Sequence, residues 1–110
     1  MSTAVELLRF AVPTHERDEW VEVETGVWTD FLRRCPGFLA KEVWAPVDGD
    51  DVLVVIWWSS LGEWKAITPE QCAEVDERMG EWLRPLSEAH ELELVRRFDG
   101  PIDESAPGTP

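Results

Sequence analysis

The chain has 110 residues, room for one domain with a single core. Ten basic against 23 acidic residues give a net charge of −13. That balance excludes nucleic acid and an anionic membrane surface as partners, because both are recognised by basic groups. No apolar run reaches the ~18–20 residues a membrane span needs, and Met1-Ser2-Thr3-Ala4 does not start a secretory signal. Cys35 and Cys72 sit in no CxxC pair and beside no histidine at metal spacing, which reads as free thiols in a reducing cytoplasm.

Residues 4–12 (AVELLRFAV) read as a first strand, with Leu8, Phe10 and Val12 on one face and Val5, Leu7, Arg9 and Ala11 on the other. Pro13 ends it, and Thr14 is a candidate N-cap ahead of Glu16, Asp18 and Glu19, which suit the positive end of a helix dipole. The first helix spans about 15–34. Its stripe is Trp20, Val23, Val27, Trp28, Phe31 and Leu32, and Cys35-Pro36-Gly37 stops it. Residues 38–45 form a second strand, with Phe38, Ala40, Glu42 and Trp44 expected on one face, and 46–51 form a hairpin turn.

The third strand, 52–58 (VLVVIWW), does not alternate, and a strand apolar on both sides is covered on both sides. A short helical turn over 61–67 carries Trp64. Thr68, Pro69 and Gln71 then supply an N-cap, a first-turn proline and a capping-box partner. The second helix runs to about 84 on a stripe of Cys72, Val75, Met79, Trp82 and Leu83. Residues 91–98 (ELELVRRF) are expected as the fourth strand, and 99–110 as a disordered acidic, Pro-rich tail outside a 1–98 domain.

The order strand, helix, hairpin, helix, strand is βαββαβ: an α+β, ferredoxin-like fold with an antiparallel sheet and both helices on one face. The other face, apolar in the third strand, calls for a second copy related by a two-fold axis, giving a homodimer built as a dimeric α/β barrel. Seven tryptophans exceed what one small core would hide, each indole burying roughly 150–250 Å². Some are therefore expected to line a second buried surface or a pocket.

Pro36-Gly37-Phe38, Lys41-Glu42-Val43-Trp44 and Val55-Ile56-Trp57-Trp58-Ser59-Ser60 with Trp64-Lys65 resemble the antibiotic-biosynthesis monooxygenase-like superfamily over roughly residues 4–98, closest to its short bacterial members. The resemblance implies the same dimeric barrel, a pocket between sheet and helices, and one of three chemistries: cofactor-free oxygenation of aromatic polyketides, cyclisation or isomerisation, or oxygenative haem breakdown. Of the haem-degrading pattern, an asparagine, a tryptophan and a haem-ligating histidine, only the tryptophan carries over, onto Trp58. The chain has no asparagine, no tyrosine and no histidine in 69–84. Catalysis would therefore need another set of residues.

The candidates are Glu42, a carboxylate among apolar neighbours suited to general acid–base work, and Arg9, which could hold an anionic oxygen or form a structural ion pair with an acid such as Glu42 or Glu93. Phe38, Trp28, Trp44, Trp58 and Trp64 are the expected substrate-binding wall, with Trp57 and Trp58 on opposite faces. Lys41 and Lys65 read as solvated. His15 and His90 are expected at one end of the sheet with Asp48, Asp50 and Asp51, in no metal-ligand spacing; no metal and no cofactor are expected. The leading expectation is a cofactor-independent cytoplasmic enzyme for an aromatic or polyketide-like small molecule. The alternatives are a non-catalytic dimeric binding protein and a haem protein using His15 or His90.

Overall fold

The computed structural model describes residues 2–101. Strand β1 (Ala4–Phe10) leads into a 3-10 turn (Thr14–Glu16) and helix α1 (Arg17–Glu24). A π-helical turn (Thr25–Thr29) and the short helix α2 (Asp30–Leu32) continue the same helical run. Strands β2 (Phe38–Trp44) and β3 (Val52–Trp58) form the hairpin. Helices α3 (Leu61–Lys65) and α4 (Pro69–Met79), a 3-10 turn (Gly80–Trp82) and β4 (Leu86–Glu93) complete the chain. All strand pairs are antiparallel, in the order β2-β3-β1-β4. This is the expected ferredoxin-like arrangement. Of the expected tail, residues 102–110 lie outside the described residues.

The core lies between the sheet and the helices. Trp20 and Leu32 from the helical side meet Val52, Val54, Ile56 and Trp58 of β3 and Val12 beyond β1, with Met79 closing one end. Trp20 is 1% exposed and Trp58 0%. The Phe10 ring tilts against Trp20, and Phe38 meets Trp58 edge-on, arrangements that aromatic quadrupoles favour. No helix among the described residues is long and apolar enough to cross a membrane.

Local chemistry sets the boundaries. Gly37 has a φ of +85°, and a Cβ there would lie 2.7 Å from the Glu63 side chain. Glycine is thus required both by the left-handed backbone and by the close approach of α3. Thr68 caps α4, accepting from Gln71 N at 3.1 Å while the Gln71 side chain reaches back to Thr68 N at 2.9 Å. Thr68→Ala removes half of this reciprocal box, with an expected loss of about 1 kcal/mol by urea denaturation and unaltered native far-UV circular dichroism.

Three expectations are corrected. The fourth strand is Leu86–Glu93, not 91–98. Pairing with β1 fixes it: Ala11 N donates to the Pro85 carbonyl, Ser87 Oγ to the Arg9 carbonyl, and the ladder runs from Phe10↔Leu86 to Ala4↔Glu93. His90 therefore sits in mid-strand opposite Leu7, away from His15 on the 3-10 turn, and the two histidines are not gathered at one end. The second helix stops at Met79, where Gly80 turns the chain with a φ of +58°.

Candidate active site

β1 and β3 alternate, so Glu6, Leu8 and Phe10 share the helix-facing side with Val54, Ile56 and Trp58. Between them and the helices lies a cavity of about 520 Å³. Trp28, Leu32 and Glu24 close it from the first helical run, Trp64 and Ile67 from α3 and its exit, and Cys72 and Asp76 from α4. Such a volume is typical of small-molecule sites, which combine an apolar wall with a few placed polar groups.

Here the polar groups are carboxylates held by indoles. Trp58 Nε1 donates to Glu6 Oε1 at 3.3 Å, and Trp28 Nε1 to Asp76 Oδ1 at 3.2 Å. Burial pushes the Glu6 carboxyl above the usual carboxylate range; the Trp58 N–H and the charge of Lys65 pull it down, and Glu91 pushes it further up. Burial raises Asp76 in the same way, against the Trp28 hydrogen bond. Desolvation disfavours the charged form of Glu6.

A second polar cluster forms one end of the wall. Lys41 Nζ donates to both Glu24 carboxylate oxygens, at 2.5 and 2.6 Å, and to Thr29 Oγ1 at 2.7 Å. The two charged side chains are 4% and 5% exposed. Burial lowers Lys41 and raises Glu24, each shift opposed by the partner's charge. At the mouth Lys65 pairs with Glu91, and Arg84 donates twice to Glu16, at 3.0 and 2.8 Å. Burial pushes both thiols up, Glu6 and Asp76 adding to the effect at Cys72, so neither is an activated nucleophile.

Of the residues expected at the site, Trp28, Trp58 and Trp64 line this cavity, whereas Arg9, Glu42, Trp44 and Phe38 do not. Arg9 faces the opposite side of the sheet, where Nε pairs with Asp51 at 2.8 Å rather than with Glu42 or Glu93. Glu42 is exposed and accepts from Trp44 Nε1 at 2.9 Å. The register of β2 shifts between Phe38 and Ala40, so Phe38 turns to the core while Glu42 turns away from it. That same shift brings Lys41 inward, correcting its reading as a solvated lysine.

Glu6, Glu24 and Asp76 were missed. The alternation that groups Leu8 with Phe10 extends back two residues to Glu6, and Asp76 lies four residues past Cys72 on one helix face. Both signals were present in the sequence. Among the described residues no group of three or more His, Cys, Asp or Glu is placed to hold a metal ion.

The fold, a four-stranded antiparallel sheet with helices on one face, recurs in solved structures of other proteins. A monooxygenase from the gene ActVA-Orf6 of Streptomyces coelicolor, in complex with nanaomycin D, superposes with a TM-score of 0.72 at 24% identity, over 91% of this chain and 93% of that one. The haem degrader MhuD of Mycobacterium tuberculosis, with two haems in its active site, gives 0.68 at 23%, over 87% and 99%. SnoaB of Streptomyces nogalater, a cofactor-independent oxygenase, gives 0.62 at 16%, over 92% and 99%. At these identities the likeness is one of fold. No protein-family model and no curated protein matches the chain.

Proposed function

We propose that the chain is an enzyme that binds a planar aromatic small molecule in the sheet-to-helix cavity and deprotonates it with Glu6, without a cofactor. The observation that carries this reading is the half-buried Glu6 carboxyl, anchored by Trp58 in an aromatic cavity. Oxygenation, isomerisation and cyclisation of polyketide-like rings share one first step, removal of a proton from an activated carbon or a phenol. In the oxygenation arm the carbanion meets dioxygen, and a CH₂ and O₂ become C=O and water.

Anthrone is a suitable probe, a three-ring ketone whose opposite CH₂ is acidic. Wild-type protein is expected to accelerate its conversion to anthraquinone in air, or the exchange of its CH₂ protons with D₂O without oxygen. Glu6→Gln is expected to abolish both effects while anthrone still quenches tryptophan fluorescence. A Glu6→Gln protein as active as wild type contradicts the assignment, and binding without turnover in both leaves the non-catalytic carrier. Haem fits poorly: His15 and His90 do not line the cavity.

The same reading includes a homodimer. The sheet face away from the helices carries Val5, Leu7, Leu53, Val55 and Trp57, flanked by Trp44 (48% exposed) and Leu92 (47%). Apolar faces of this kind mark interfaces, and stable ones bury about 800 Å² per partner. Native mass spectrometry is expected to give a dimer for the wild type and a monomer for Leu92→Lys; a wild-type monomer contradicts the interface.

A further inference from the structure

We propose that Glu24, backed by Lys41, is the general acid of the cavity: it protonates a substrate oxygen as Glu6 takes a proton from carbon. The inference rests on the reading of Glu6 above and adds the second group that its chemistry requires. Removing a proton from a ketone leaves negative charge on oxygen, and an apolar cavity stabilises such charge only with a donor aimed at it.

The geometry selects Glu24 for this task. Glu6 lines the cavity from the sheet, and Glu24 from the end of α1. Glu24 is only 4% exposed, yet it belongs to the cavity wall. Lys41 comes from β2 and is held by Thr29 at 2.7 Å. Thr29 lies on the π-helical turn that begins one residue after Glu24, and such turns recur at functional sites.

Other cations near the cavity are already engaged on its outer side, Lys65 with Glu91 and Arg84 with Glu16. Besides Glu24, the charge that acts on Lys41 is that of Arg33, which lowers its proton affinity; Glu6 and Asp76 line the same cavity from β1 and α4.

In the step itself the C–H bond breaks and its proton passes to the Glu6 carboxylate. The bonding pair enters the ring system, the carbonyl π pair moves onto oxygen, and that oxygen takes the proton shared by Glu24 and Lys41. The product is the enol, and no oxidant or reductant is consumed. Return of the Glu6 proton to another carbon, and of the hydroxyl proton to the pair, completes an isomerisation. In anthrone the carbon and the oxygen lie at opposite ends of the central ring, matching two groups on different walls. Lys41 is a positioning residue in this scheme, acting through Glu24.

The test is anaerobic exchange of the anthrone CH₂ protons in D₂O, followed by proton NMR across pH. Wild type should show a rise governed by ionisation of Glu6 and a fall at higher pH as the pair loses its proton. Glu24→Gln combined with Lys41→Met replaces the pair by neutral groups of similar size, and its fold is verified by circular dichroism. This variant should exchange about 100-fold more slowly and lose the alkaline fall, with anthrone affinity unchanged, and Lys41→Arg, whose guanidinium keeps its proton, should lose the alkaline fall as well. A folded double variant with wild-type rate and profile would overturn the proposal and leave Glu6 standing. A wild type that does not accelerate exchange would overturn the Glu6 reading and this one with it.

Discussion

Replacing Lys41 by methionine is expected to destabilise the protein by about 3–5 kcal/mol, the cost of leaving a buried charge without its partner. The lysine side chain is 4% exposed, and both Glu24 oxygens accept from it. Without it Glu24 keeps only the option of taking up a proton. The loss should therefore be largest at neutral pH and shrink in acid, because burial already raises Glu24 above its unfolded value. The double variant Glu24→Gln with Lys41→Met should recover most of it, since neutralising a whole buried pair costs far less than breaking one. Urea denaturation of the two proteins at pH 7 and pH 5 measures this directly. Equal stability of the single and double variants at pH 7 would mean that water reaches the pair.

Glu6→Gln has the largest expected effect on function, a fall of about 100- to 10,000-fold in anthrone turnover. Its effect on stability should have the opposite sign. The folded-state pKa of Glu6 is raised above its ordinary value, so the stability this group contributes is fully present below the unfolded pKa and is lost as pH rises through the folded one. At neutral pH the ionised Glu6 weakens the fold. Glutamine cannot ionise, and its amide oxygen still accepts from Trp58 Nε1. The variant should therefore melt at or above the wild-type temperature at pH 7, the difference closing toward pH 4. Higher stability with lost turnover is the signature of a site held under electrostatic strain for function; a variant that melts lower at pH 7 would place Glu6 among the stabilising residues.

The architecture was legible because each signal was local. Thr68, Pro69 and Gln71 wrote the start of α4, and Cys35-Pro36-Gly37 wrote the end of the first helical run. The unbroken VLVVIWW run wrote the third strand. The fourth strand was misplaced for a physical reason: Leu86–Glu93 is an edge strand, exposed along its whole length, and it is specified by its ladder with β1 rather than by its own residues. The alternating ELELV segment carried the stronger local pattern.

The candidate site was legible only in its tryptophans. A register shift between Phe38 and Ala40 reverses the sides of Lys41 and Glu42, and nothing in the run FLAKEVW marks it. Which face of β1 the helices cover decides its cavity groups: Leu8 and Phe10 choose that face, Glu6 goes with them, and Arg9 falls on the other. The role of Glu24 depends on contacts across long stretches of chain, such as that from Glu24 to Lys41, which no periodicity records.

Glu6 is proposed as a half-buried carboxyl of raised proton affinity that meets the ligand. This proposal is tested most directly by carbon-13 NMR of the glutamate carboxyl groups, with Glu6 assigned by its loss in Glu6→Gln, titrated with and without anthrone. The account requires one signal with a midpoint above the ordinary carboxylate range, displaced when anthrone binds. A Glu6 signal that titrates like the exposed glutamates and ignores anthrone would contradict it.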